Sequence, residues 1–175
     1  MAYYVTGRPN STEYAPHFAR YVDLVGGNDV IFALSGQIDR TIPNLRAVSE
    51  EISLKRYAPG KWSLKEVLGH MIDTERIFGY RALRFARNDK TELASFDQDQ
   101  FVAAANFDNR PWADLVPEFE LLRRVNIRMF RGFEKHAWEL RGSASGNEMS
   151  ARAAAFVIAG HELAHMQIIR EKYIS

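Results

Sequence analysis

The sequence predicts an all-α fold: a four-helix bundle with a long connection between its second and third helices. Three observations predict it. Four long segments carry apolar residues at helical spacing between capping residues and proline or glycine breakers, strand-like alternation is scarce, and histidines fall on inward-facing stripes of two of the segments. At 175 residues the chain is long enough to bury a core without staples, and it is read as one domain over 1–175 with residues 1–20 as an N-terminal extension.

The first helix is expected from about Asn28, a capping residue, through DVIFALSGQIDRTIPNLRAV, with Pro43 kinking it or ending it early. The second is the best marked. After the breaker Pro59-Gly60, Ser63 and Glu66 make a capping box and Trp62 can staple against Val67, so the helix runs from Ser63 to about Arg87. Residues 88–110 lose clear periodicity, which predicts an ordered connection carrying one short helix, and long connections in compact domains often carry function. The third helix begins near Pro111, or near Asp114 if Pro117 is to sit in the first turn, and ends around Gly132 or Phe133. After the polar run LRGSASGNEM, Ser150 caps a fourth helix that extends to about Tyr173.

Composition narrows the function classes. Lys+Arg 23 against Asp+Glu 22 leaves a formal charge of +1, so no global field favours nucleic acid or an anionic membrane. The expected partners are a small-molecule substrate and, through homodimerisation, a second copy of the chain. With Cys 0, histidine and carboxylate are the remaining metal ligands. The polar start MAYYVTGRPNSTEY and the lack of a long apolar run predict a cytoplasmic protein.

The run GHELAHMQIIREKY, Gly160 to Tyr173, contains the His-Glu-x-x-His pattern of zinc metalloproteases at His161, Glu162 and His165. Two histidines four apart lie on one helix face, about 6 Å apart along the axis, and can grip one metal ion. Proteolysis is nevertheless not expected. Only ten residues follow His165, and the extended motif would need Gly at 168 and His at 171, where Ile168 and Glu171 stand. A third ligand must therefore come from upstream.

On the fourth helix Ala154, Ile158, His161, His165 and Ile168 form a core-facing stripe, so both imidazoles point inward. A single histidine there would be an ordinary hydrogen-bonded core residue; two in register are satisfied together by one metal. His70, central in the second helix on the stripe of Val67, Thr74 and Ile77, is the third candidate ligand. His17 and His136 are read as surface residues. Glu75 is expected to pair with an arginine or to support the site from behind, and Glu162, turned about 100° from His161, to face solvent or a neighbouring helix. Asp97 or Asp99 is the candidate fourth ligand if the metal is structural. RALRFAR is read as a solvated helix face.

The segment YAPGKWSLKEVLGHMIDTERIFGYRALRFARND, the loop SFDQDQF and the closing GHELAHMQIIREKY together resemble the DinB-like metal-binding superfamily, also called the YfiT-like four-helix bundle, from about residue 20 to the end. The resemblance implies a divalent metal held by one histidine of the second helix and two of the fourth, which fall on His70, His161 and His165. Ala164 departs from relatives that carry another histidine before the last ligand. The resemblance further implies either S-transfer with a low-molecular-weight thiol such as bacillithiol, mycothiol or glutathione, or metal-dependent hydrolysis. It implies no DNA binding. The expectation is a metal-dependent enzyme, read first as a thiol-dependent S-transferase, with hydrolysis or a non-catalytic helical protein with a structural metal as alternatives; zinc is the first choice of metal and nickel the second.

Overall fold

Backbone N–H groups left unpaired at the start of a helix need acceptors, and the side chains that supply them set most of the boundaries. The computed structural model describes residues 5–174, with helices α1 (Ala19–Val22), α2 (Val30–Arg46), α3 (Glu50–Ser53), α4 (Leu64–Ala86), α5 (Gln98–Ala105), α6 (Trp112–Arg131) and α7 (Ala151–Lys172). The four long ones, α2, α4, α6 and α7, are the four the sequence predicts. At the start of α4 the Ser63 hydroxyl accepts from the Glu66 N–H at 3.1 Å while the Glu66 carboxylate accepts from the Ser63 N–H at 2.7 Å, completing the capping box. Ser150 caps α7 through the Ala153 N–H at 3.0 Å.

Two details differ from the expectation, and a third decides between its alternatives. Asp29 rather than Asn28 caps α2, accepting from the N–H groups of Ile31 and Phe32. Pro43 lies inside α2 without breaking it; the helix ends at Arg46. In α6 the chain enters at Pro111, which leaves Pro117 inside the helix beyond its first turn.

The polar run before α7 is a β-hairpin, β1 (Arg141–Ala144) paired antiparallel with β2 (Asn147–Ser150). Its two-residue turn, Ser145-Gly146, has φ of 57° and 72°, the left-handed pair that a type I′ hairpin requires. The 88–97 connection docks on this hairpin, the Leu93 N–H donating to the Ser143 carbonyl and the Ser145 N–H to the Leu93 carbonyl. Together these segments wall one side of the bundle. Residues 5–27 also pack on the body: buried Glu13 accepts from Ser150 Oγ and from the Arg152 guanidinium, and Arg8 donates to the carbonyls of Val22 and Val25.

The apolar interior falls into two clusters. One gathers Leu34, Phe78, Phe130, Trp138 and Phe156, the other Ile38, Leu68, Phe119, Met166 and Ile169. Between them each long helix contributes buried polar residues: Gln37 and Thr41 from α2, His70, Thr74 and Glu75 from α4, Arg123 and Asn126 from α6, His161 and Glu162 from α7. Polar groups at such depth cost free energy unless paired, and this waist is where the sequence-predicted ligands lie.

Candidate metal centre

Small residues let neighbouring elements close on the helix faces that carry the histidines. Gly160 precedes His161, and a Cβ there would stand 1.9 Å from the Tyr21 carbonyl oxygen, so α1 seats on α7 because the residue is glycine. Gly69 precedes His70, and a Cβ there would meet the Phe107 ring at 2.4 Å. Tyr21, admitted by Gly160, packs edge-on to His161 with centroids 5.3 Å apart, and Trp62, next to the cap of α4, lies 5.0 Å from His70.

His70, His161 and His165 converge. Their ring centroids are 4.3 to 5.0 Å apart, the Nε2 atoms of His70 and His161 are 3.0 Å apart, and one nitrogen from each ring lies within 4.8 Å of the other two. A tetrahedral ion with metal–nitrogen bonds of about 2.0–2.1 Å sets its ligand nitrogens about 3.3 Å apart, so small ring rotations bring the set onto one ion. Among the described residues the rings make no other side-chain hydrogen bond, and the buried Nδ1 of His165 has no partner. An orphaned buried nitrogen on His165, beside two imidazoles that turn Nε2 toward Nε2, is what a divalent metal satisfies, and the donor set fits one.

Electrostatics keeps these rings ready to ligate. Burial lowers His70 to about 3, with His165 beside it adding to the shift. Burial also lowers His165 to about 4, reinforced by the Arg20 charge, and drives His161 well below the ordinary histidine range, aided by His165 and His70. The neutral imidazole, which carries the lone pair a metal needs, is therefore the stable form at neutral pH.

The remaining candidates fall elsewhere. Glu162 is buried in an ion network, not exposed to solvent: it accepts from Thr41 Oγ1 at 2.5 Å and from Arg123 Nη1. Glu75 takes the same guanidinium in a fork, from Nε at 2.7 Å and Nη2 at 2.8 Å, and accepts from Asn126 Nδ2 at 3.2 Å. Burial disfavours the charge of Arg123, but Glu162 and Glu75 outweigh it and hold the guanidinium protonated. Asp97 caps α5, Asp99 is exposed, and neither joins the histidine cluster. His17 and His136 are exposed as expected.

Two cavities meet the triad. His70 and His161 line one of about 300 Å³, closed by the hairpin and the 88–97 connection; His165 lines another of about 260 Å³, beside Trp62, Asp99 and Tyr173. The first holds residues the sequence reading missed. Arg81, in the RALRFAR run, is 4% exposed rather than solvated and faces this cavity with Arg20 and Thr74. The available signal was register: Thr74, Phe78 and Arg81 continue the face of His70 at spacings of four, four and three.

Comparison with known families agrees with this architecture. The model of the DinB superfamily matches residues 33–169, which span α2 to α7. The chain belongs to the DinB superfamily. Among solved structures this DinB-superfamily chain is similar to YfiT from Bacillus subtilis, described as a probable metal-dependent hydrolase with an unusual four-helix bundle topology. The TM-score is 0.69 at 11% identity, covering 93% of this chain and 89% of that one, a likeness of fold. No curated protein sequence matches significantly. Among the described residues no helix is long and apolar enough to cross a membrane.

Proposed function

We propose that the protein is a metal-dependent enzyme in which His70, His161 and His165 hold one divalent ion, and that its reaction is transfer of a small thiol to an electrophile. The observation that carries this reading is the triad's position: three neutral imidazoles between two cavities, with no Asp or Glu of the described residues completing the cluster. Three protein ligands leave coordination positions open, whereas a structural site is closed by a fourth. A divalent ion held by His70, His161 and His165 would supply Lewis acidity to a bound thiol, giving a nucleophile without a carboxylate base.

That last feature favours thiol over water. The one acidic residue adjacent to a ligand in sequence, Glu162, has one oxygen on Thr41 and the other on Arg123 and does not join the histidine cluster. Two cavities suit two substrates, a thiol on one side and an electrophile on the other. The sulfur forms its bond to the electrophilic carbon as the leaving group departs with the bonding electron pair, and the thiol proton passes to solvent. Tyr21 and Trp62 keep the imidazole planes in place meanwhile.

Hydrolysis is the second reading. It is favoured by the Thr74 hydroxyl, buried without a partner beside His70 and His161, which can orient a water. Zinc is the default ion, with nickel next.

The test is to incubate metal-loaded protein, metal-free protein and the His165→Ala variant with a panel of small thiols and a fluorogenic alkylating agent, beside ester and amide substrates without thiol. Metal-dependent conjugation lost in His165→Ala supports thiol transfer. Ester or amide turnover without thiol replaces it with hydrolysis, and silence in both panels contradicts the enzyme reading.

A further inference from the structure

The face of α4 that begins with His70 continues into the larger cavity as Thr74, Phe78 and Arg81. Arg81 is 4% exposed, yet it has no ion-pair partner among the described residues: Nη2 donates to the Ala94 carbonyl at 3.0 Å and to Ser145 Oγ at 3.1 Å, while Nη1 and Nε have no hydrogen-bond acceptor there. Glu92 acts on it through space without forming an ion pair. The guanidinium lies over the rings of Phe78 and Phe96, at 5.0 and 6.0 Å from their centroids. Across the cavity Arg20 likewise lacks a carboxylate partner, and His17 stands at the exposed edge. The lining contains two arginines and no Asp or Glu.

A buried guanidinium with idle donors, in a cavity without a carboxylate, is an incomplete ion pair. We propose that the partner is the ligand's own: the cavity takes a small monoanion whose acid group is held by Arg81, whose apolar body lies against Phe78 and Phe96, and whose other end reaches Thr74 and the histidines, where Arg20 also stands. The length follows from the helix. Arg81 is eleven residues beyond His70, about 16 Å along the axis, and helical side chains lean back toward the N-terminus, so acid group and reacting end are separated by on the order of 10 Å. A cavity of about 300 Å³ holds roughly ten water volumes, enough for an aryl-alkyl acid of that length. That this anion is the substrate rests on the enzyme reading above; that the cavity prefers an acid does not.

The test uses 4-phenylbutyrate, its uncharged amide and the corresponding phosphonate, titrated into the full chain with zinc bound and again after chelation, followed through the Thr74 and Val157 methyl resonances. The acid is expected to bind roughly tenfold or more tightly than the amide in both forms, with the phosphonate ranking beside it, and to weaken by a similar factor in Arg81→Gln. If Arg81→Gln does not fold, the acid-to-amide ratio in the wild type decides. Equal binding of acid and amide, or unchanged acid binding in Arg81→Gln, overturns the proposal; so does a preference that vanishes on chelation, because the acid then sat on the metal. Acid preference in a wild type that takes up no zinc upholds the anion site and removes the enzyme reading.

Discussion

Arg123 and Glu162 illustrate how a motif residue can serve a different purpose from the one its pattern suggests. In a zinc protease the glutamate between the histidines works on water at the metal, whereas here Glu162 leaves its helix toward α2 and α6 and shares a guanidinium with Glu75. Both carboxylates and the arginine are at most 2% exposed in their side chains; removing Arg123 would strand two carboxylates, whereas neutralising Glu162 leaves Arg123 forked to Glu75. Glu162→Gln should therefore destabilise the fold by about 1–2 kcal/mol through weakened charge-assisted hydrogen bonds, seen as a lowered Tm, while the purified protein keeps its metal. Loss of metal at unchanged Tm would return Glu162 to the site. The sequence placed His70, His161 and His165 correctly on inward stripes because periodicity specifies a face, and it could not tell which neighbour Glu162 would find, because that depends on α6 crossing at Arg123. Arg81 was missed for the same reason: its burial comes from the hairpin and the 88–97 connection, neither of which has a helical period.

Among elements, α7 departs most from the simple amphipathic expectation. It is buried on nearly every side from Ala151 to Glu162, because α1 covers a face that a four-helix bundle would leave to solvent, and the stripe assigned to it ends early, with Ile168 38% exposed. Gly160 permits that extra contact. In an exposed helix Gly→Ala stabilises by about 1 kcal/mol. Here the added Cβ would collide with the Tyr21 carbonyl, so Gly160→Ala should instead cost on the order of 1–3 kcal/mol and speed amide exchange of Asp23 and Leu24, whose N–H groups close the end of α1. A gain in stability would mean that α1 does not seat on α7 in solution. Caps were the most legible features, since Ser63, Glu66 and Ser150 act within one turn of themselves. The hairpin was the least, its only local signal being Ser145-Gly146 at the turn.

Across the whole molecule, two apolar clusters enclose a polar waist whose histidines are held neutral, and this couples stability to pH. An imidazole with an ordinary value of 6.5 in the unfolded chain and about 4 or about 3 in the folded one leaves the unfolded state holding more protons once the pH drops below 6.5. Stability contributed by neutral His70 and His165 is thus full above 6.5 and is lost progressively down to about 4 and below, about 2 kcal/mol per imidazole at pH 5. Denaturant midpoints of metal-free protein should fall over that window, and the fall should shrink in His165→Ala. A flat profile would place the rings in solvent.

Elemental analysis after purification and exhaustive dialysis tests the central claim most directly, comparing the wild type with His70→Ala, His161→Ala, His165→Ala and the control His136→Ala. The account predicts close to one divalent ion per chain in the wild type and in His136→Ala, and metal reduced by ten- to a hundredfold or more in each of the three site variants. Stoichiometric metal persisting in the variant that lacks both His70 and His161 would contradict it.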